Sequence, residues 1–506
     1  MIRPLARASF HALRGAGRPP RASRWIALVA VLNATAWGIL VPPFHVPDEN
    51  AHIAYVQYFA ETGRLPKGGA PLEVYSPEIN ATLTAVDFPS VVGNSLTRVP
   101  LRESQRQALQ AARERAPSRV GSGDVATATN NPPLYYSLQA LVYHASPSDD
   151  LLTRIGLMRV LSALLAGATA FFSTLFLREL FPTTPWAWAG GGLVVALQPL
   201  FGFIGSGVNN DGLLFCAAAA LFFGLARLLR RGITPRRALA VGLALSAGAL
   251  AKATMIAFVP SFALGFVLAI VAAPGHRRRS AARSVAFGVV AFVLPLVAYV
   301  VMSDLVWQRP VWGAASSLAA GGGAAVAPIG ATGNLREALS YTWQLFLPSL
   351  GVFSPMHSAP DPFYDIWFRG FVGHFGWLDY AFPEWVYSAA KGVAWVVVAL
   401  AITTLIRERR AVARRRWEIV IWMVAVAGLL GVIGLAGYDY WRTSGGKRFE
   451  QARYLLPLLP LYGALVGLAI RAGGRRAGPL LAAGAAIIAV SWSMYAQILT
   501  ALRYYG

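Results

Sequence analysis

The chain is predicted to be an all-α integral membrane protein of about eleven transmembrane helices with two large extracytoplasmic loops. Three observations predict it. Of 506 residues, 56% are hydrophobic and only 13% charged, with a mean hydropathy of +0.50, whereas a soluble domain carries about 25% charged residues. Apolar stretches of membrane-spanning length recur along the chain, a crossing needing roughly 20 apolar residues. Short arginine-rich runs separate them. These features exclude a water-soluble enzyme, a disulfide scaffold and a disordered chain. The single cysteine, Cys216, allows no intramolecular disulfide.

The apolar stretches lie near 24–41, 152–177, 187–206, 212–229, 238–251, 255–274, 284–303, 385–406, 418–437, 453–470 and 478–498. The fifth and sixth form one run that length alone would allow as a single long helix. Arginines at both ends of that run, Arg236–Arg237 and Arg277–Arg279, favour the cytoplasm. The run is therefore expected to cross twice, turning near Lys252-Ala253-Thr254. Residues 1–36 superficially fit a cleaved leader, but the apolar run continues to Leu40, so an uncleaved first span is expected.

With a cytoplasmic N-terminus, six segments face inward: the tail to Arg24, Arg178, Arg227–Arg237, Arg277–Arg283, Arg407–Arg416 and Arg471–Arg476. They hold about 25 of the 45 basic residues and two or three acids, the asymmetry of the positive-inside rule. This distribution accounts for the net charge of +22 without nucleic acid, for which no motif or aromatic-interleaved groove is present. The expected setting is a bacterial plasma membrane.

The two large outer segments are about 42–150 and 304–384, folded onto one membrane domain covering 1–506. In the first, residues 48–62 read as an amphipathic helix stopped by Gly63 and Pro66, and 100–116 as a second, polar helix. Residues 318–333 are Gly/Ala-rich and read as a mobile strap.

Chemistry concentrates at Val46-Pro47-Asp48-Glu49-Asn50-Ala51-His52, just beyond the first span. Two carboxylates at a helix start, with His52 on the same face, can deprotonate a hydroxyl or hold a divalent cation. Asp48 can equally cap the helix, with Glu49 complementing its dipole. Lys447, Arg448 and Arg453 lie in or beside the hairpin 438–452, suited to a donor phosphate or to snorkelling toward lipid headgroups. Lys252, at the apex of an apolar hairpin, costs about 2.5–3.5 kcal/mol at membrane depth and is a candidate for the same phosphate. Asp211, after Asn209 and Asn210, can cap the fourth span or bind sugar hydroxyls. Arg369 and His374 sit in an aromatic-rich stretch of the second loop, and Tyr454 follows Arg453; most of those rings read as an interfacial belt.

Asp48-Glu49 in the first outer loop of a chain with about eleven spans resembles the GT-C superfamily of membrane glycosyltransferases. Asn131-Pro132-Pro133-Leu134-Tyr135-Tyr136 looks like the element ending their first loop. More closely, the chain resembles a bacterial family of multi-pass proteins grouped with them. The resemblance rests on Pro47-Asp48-Glu49-x-Ala51-His52, Val208-Asn209-Asn210-Asp211, Phe371-Val372-Gly373-His374-Phe375-Gly376-Trp377 and Gln451-Ala452-Arg453-Tyr454-Leu455-Leu456-Pro457. Ala452 departs from the glycine expected in the last. The resemblance implies transfer of a sugar from a polyprenyl-phosphate donor to an envelope glycan or lipid acceptor, outside the membrane.

It also implies Asp48 as the base, with Glu49 as helper or as a ligand, with Asp48, of Mg, Mn or Ca. A single carboxylate base implies inversion, since a double displacement needs a nucleophile as well. His52, Asn209, Asn210, Asp211, Arg369, His374 and Tyr454 would line the substrate site. Arabinofuranosyltransferases are among the relatives implied, although no residue identifies arabinose. The rival readings are a flippase of lipid-linked sugars, expected to show internal repeats or charges deep in several spans, and a non-catalytic partner in envelope-polymer assembly.

Overall fold

The computed structural model describes residues 19–66, 75–98, 103–115, 117–121, 128–309, 334–348, 350–351, 356–357 and 361–506. Among these, nine helices are long and apolar enough to cross a membrane: Arg21–Leu40, Leu151–Leu180, Asp211–Arg231, Ala253–Val271, Gly275–Leu305, Glu384–Arg407, Arg416–Thr443, Ala452–Ala472 and Gly474–Tyr505. A bent pair, Pro185–Ala196 and Pro199–Ser206, makes a tenth at an angle of 52°. The bend has a local cause. Gln198 precedes Pro199, is held extended and accepts the Phe201 N–H through its side chain.

The fifth apolar stretch, 238–251, is the helix Pro235–Ala249, 15 residues long and not among the span-length helices. It ends where the double crossing requires, with Lys252 extended before a 3₁₀ turn over Ala253–Phe258 that leads into Val259–Val271. The helices pack through small residues. A Cβ on Gly191 would stand 2.5 Å from the Gly463 carbonyl, and one on Gly242 would meet the Gly288 carbonyl. Close backbone approach of this kind is how helices associate without a hydrophobic driving force between them.

Ion pairs join helix ends in two separate sets. Arg230–Glu418 (2.9 Å), Arg231–Glu179 (2.9 Å) and Arg471–Glu408 (2.6 Å) lie together. Asp48–Arg453 (2.5 Å), Asp211–Lys252 (2.6 Å) and Asp379–Arg503 (2.8 Å) form the other set. Every pair links ends that an alternating path puts on the same side, so the arginine-derived crossing order and the tertiary packing agree.

The segment between the Arg21–Leu40 and Leu151–Leu180 helices contains Glu49–Thr62, closed by Gly63 in the left-handed region, then Pro77–Ala85, Phe88–Val91, Glu103–Glu114 and Leu134–His144. The helices expected over 48–62 and 100–116 thus occur within a few residues of their expected ends. The segment between the Gly275–Leu305 and Glu384–Arg407 helices contains Leu335–Phe346, a π-helical turn Phe363–Phe368, Arg369–Gly373 and an antiparallel pair, His374–Phe375 with Tyr380–Ala381. The strap expected at 318–333 lies outside the described residues.

Candidate active site

The first span ends at Leu40 and the chain turns sharply before re-entering a helix at Glu49. Two non-glycine residues in this turn, Phe44 (φ 73°) and Asp48 (φ 64°), occupy the left-handed region. Such conformations cost free energy and persist only where neighbours impose them. Here the imposing group is Glu49, fully buried. Its Oε2 accepts the Phe44 N–H (2.8 Å) and its Oε1 the Val208 N–H (2.9 Å).

Arg159, on the Leu151–Leu180 helix, completes the arrangement. Nε and Nη2 reach the two Glu49 oxygens at 2.8 and 2.6 Å, while Nη1 and Nη2 donate to the carbonyls of Gly38, Val41 and Pro42. The guanidinium therefore caps the first span's free carbonyls and neutralises Glu49 at once. This corrects the expectation for Glu49: with four donors on its two oxygens it has no lone pair directed at a substrate or cation, and it builds the turn instead.

Asp48 points the other way and keeps 23% of its side chain exposed. Its Oδ2 accepts from Arg453 Nη2, while Arg453 Nη1 reaches the Pro47 carbonyl at 3.4 Å. Burial tends to raise the Asp48 carboxyl; Arg453, aided by His52 and Lys252, outweighs it and holds the group below its usual value.

Asp211 opens the Asp211–Arg231 helix beside this pair. Its Oδ1 accepts from Lys252 Nζ, and its Oδ2 stands 4.0 Å from Arg453 Nε without a hydrogen bond. Asn209 donates to the Pro47 carbonyl and accepts the Asp211 N–H; Asn210 donates to the Ala251 carbonyl. Tyr454 offers its ring to both cations at 5.3 Å. His52 lies within electrostatic reach, its Nδ1 2.8 Å from the Tyr136 hydroxyl and its ring stacked on Tyr136. Burial, above all, brings its pKa down to about 4, so the imidazole is neutral at pH 7.

Asp48, His52, Asn209, Asn210, Asp211, Lys252, Arg453 and Tyr454 therefore converge from four chain segments. Four other expected residues are absent from the contacts of this cluster. Arg369 pairs with Glu384 (2.8 Å) over the Tyr387 ring, and His374 contacts the Leu378 carbonyl through Nε2 (3.0 Å). Lys447 is exposed, and Arg448 is half-buried, within electrostatic reach of Tyr341 and His357.

Sequence reasoning missed Arg159, Tyr136 and Trp377. Arg159 was visible as a charge inside the second apolar stretch. Trp377 Nε1 reaches the Phe44 carbonyl at 3.4 Å, and Asp379 ties the Trp377 N–H to Arg503. The segment before the Glu384–Arg407 helix thus braces the strained turn through Trp377.

The donor set does not suit a cation cage. Among the described residues no group of three or more His, Cys, Asp or Glu side chains could hold a metal, and both Asp48 and Asp211 already carry a cationic partner.

No protein of curated function matches the sequence. Two solved structures of the Archaeoglobus fulgidus oligosaccharyltransferase align with the chain. For the apo form the TM-score is 0.37 at 12% identity, covering 94% of this chain and 56% of that one. For the form tethered to an acceptor peptide containing the NVT sequon the values are 0.36 and 13%, covering 95% and 55%. The chain thus spans a little over half the length of these neighbours. Residues 32–462 match the family described as predicted membrane proteins, DUF2142, and that stretch contains every member of the charged cluster. The chain belongs to this family of multi-span membrane proteins.

Proposed function

We propose that the protein is a membrane glycosyltransferase. It moves a sugar from a polyprenyl-phosphate carrier to a cell-envelope glycan or lipid acceptor on the extracytoplasmic side, with inversion. The observation that carries this reading is the paired cluster itself: a half-open carboxylate on Arg453, backed by Asp211 on Lys252, at the ends of membrane helices.

Arg453 and Lys252 supply the charge for a lipid phosphate at the membrane surface, Arg453 offering a planar fork. A bound phosphate competes with Asp48 for Arg453 and so frees the carboxylate. Freed, the partly buried group loses the interaction that lowers its pKa and becomes a stronger base. The acceptor O–H then gives its proton to Asp48 as its oxygen bonds to the anomeric carbon. The bond from that carbon to the phosphate oxygen breaks, and polyprenyl phosphate leaves with the electron pair. One carboxylate and one displacement imply inversion.

The test is Asp48→Asn in nanodiscs, with lipids extracted and weighed by mass spectrometry beside a transfer assay on envelope-lipid extract. Transfer is expected to fall by at least 10²-fold, the lower range for a general base, with a polyprenyl-phosphate sugar enriched on the variant. Undiminished transfer would overturn the base assignment. Bulk phospholipid alone on both proteins, with no transfer, would overturn the enzymatic reading.

A further inference from the structure

The Leu335–Phe346 helix runs along a membrane span rather than over its end. Its neighbour, the Arg416–Thr443 helix, carries no charge from Ile419 to Tyr438. That stretch is about 30 Å long at 1.5 Å per residue, the thickness of a bilayer's hydrocarbon core. Asp439 and Arg442, just beyond it, mark the edge of the core on the side of the Asp48–Arg453 pair. At that edge the Tyr438 hydroxyl donates to Glu337, near the start of the shorter helix (2.8 Å). Tyr341 and Thr342 pack deeper. A Cβ on Gly437 would stand 3.0 Å from the Tyr341 ring, and one on Gly434 would collide with the Thr342 side chain. Gly434 is about 7.5 Å along the span from Asp439. The two helices are therefore antiparallel, and the shorter one descends into the core as it proceeds to Phe346.

The outward surface of this helix changes character at the same level. Asn334, Arg336 and Glu337 are exposed and polar. Beyond them, among the described residues up to Leu350, the exposed side chains are Leu339 (59%), Trp343, Leu347 (45%), Pro348 and Leu350. Leu335, Leu339, Trp343 and Leu347 recur every fourth residue and so form one stripe. Polar groups along the helix are answered from within the protein. Thr342 donates to the Ala338 carbonyl (2.8 Å), the Trp343 indole to the Pro348 carbonyl (2.9 Å) and Gln344 to the Ser340 hydroxyl (2.9 Å). The carbonyls of Tyr341 and Leu345 meet His357 Nε2 (3.1 Å) and Trp367 Nε1 (2.8 Å). A helix end in water leaves its last carbonyls to the solvent, whereas in hydrocarbon they must be satisfied internally. The chain also comes back, since the His357 ring lies 4.4 Å from the Tyr341 ring, near the level at which the helix entered.

We propose that the Leu335–Phe346 helix is the descending arm of a re-entrant segment, which enters and leaves the bilayer on the Asp48 side and docks its leucine stripe against the hydrocarbon chains of the membrane lipids. Part of the expected second outer loop, 304–384, then lies inside the bilayer. The occupant of the stripe is lipid because the stripe continues the surface of the neighbouring span. There Met423 is exposed, and a Cβ on Gly431, one turn deeper than Gly434, would meet no atom within 4 Å. The segment is also fastened to the charged cluster. The Tyr341 hydroxyl donates to Glu450, which is within about 11 Å of extended chain of Arg453. The inference goes beyond the transferase reading and holds for any chemistry at Asp48.

The test is nitroxide labelling of the protein in phospholipid nanodiscs, in a Cys216→Ser background. Single cysteines are introduced as Leu339→Cys, Leu347→Cys and, for an aqueous reference, Lys447→Cys. Power-saturation EPR compares access of molecular oxygen, which concentrates in hydrocarbon, with access of a water-soluble nickel chelate. Nickel access is expected to be high at 447 and lost at 347, with oxygen access rising from 339 to 347. Leu335→Cys and Leu350→Cys give the same shallow-to-deep comparison if a label at 339 or 347 lowers the melting temperature. Nickel access at 347 equal to that at 447 would put the stripe in water. Low access of both probes at 339 and 347 would show that protein, from this chain or a partner, covers it. Equal oxygen access at the two positions would lay the helix flat in the interface. Each of these three results overturns the proposal, and none depends on whether sugar is transferred.

Discussion

At the scale of single residues, adjacent carboxylates do opposite jobs. Glu49 is fully buried and bidentate with Arg159, whereas Asp48 is partly exposed on one arm of Arg453. Both lie at a helix start, so nothing in the local pattern distinguishes them; Arg159, 110 positions along the chain, does. Removing one partner of a buried ion pair leaves an uncompensated charge, so Arg159→Met is expected to destabilise the protein by about 3–5 kcal/mol. Glu49→Gln in the same chain removes that charge and is expected to recover most of the loss. Thermal melting in detergent measures both. A double variant no more stable than the single one would show that the Glu49 charge is not what the arginine neutralises.

At the scale of elements, the helix Glu49–Thr62 is pinned by His52 to Tyr136 of the Leu134–His144 helix. Folded His52 titrates near 4 against an ordinary value of 6.5, chiefly because it is buried. Between those values the unfolded chain binds a proton that the folded chain refuses, so stability falls as pH drops from 6.5 toward 4 and is fully present above 6.5. His45, held near 3 by burial with Arg503 and Arg159 nearby, adds to the same trend. His52→Phe is expected to lower stability at pH 7 through its lost hydrogen bond while flattening the acid slope. Melting temperatures between pH 4 and 7.5 check this, and an unchanged slope would assign the acid loss to other groups. The ends of this helix were legible from Gly63 and Pro66; its partner was not, because contacts between Tyr136 and His52 leave no periodic trace.

At the scale of the whole molecule, the two sets of ion pairs divide the helix ends between two faces. With the arginine clusters taken as cytoplasmic, the Glu418 set would face inward and the Asp48 cluster outward, an orientation we propose. With Cys216 replaced by Ser, Lys447→Cys and Arg410→Cys put single thiols at exposed positions of opposite faces. A membrane-impermeant maleimide added to intact cells is expected to label position 447 and spare 410. The reverse pattern would invert the orientation and move the proposed chemistry to the cytoplasm.

Composition, apolar run lengths and arginine placement by themselves determined the class, the crossing order and the break at Lys252. They act through the bilayer, a solvent that sorts any chain by hydropathy and charge. Motif resemblance nominated Asp48, Asp211 and Arg453, and a charge at the apex of an apolar hairpin nominated Lys252. Only the tertiary structure decided which charges pair. Pairing depends on distances of a few ångströms between segments up to 406 positions apart, as for Pro47 and Arg453. It made Glu49 a scaffold and left Asp48 partly exposed. The strained backbone at Phe44 and Asp48 was equally illegible, because Glu49 imposes it only when Arg159, 110 positions away, holds its carboxylate.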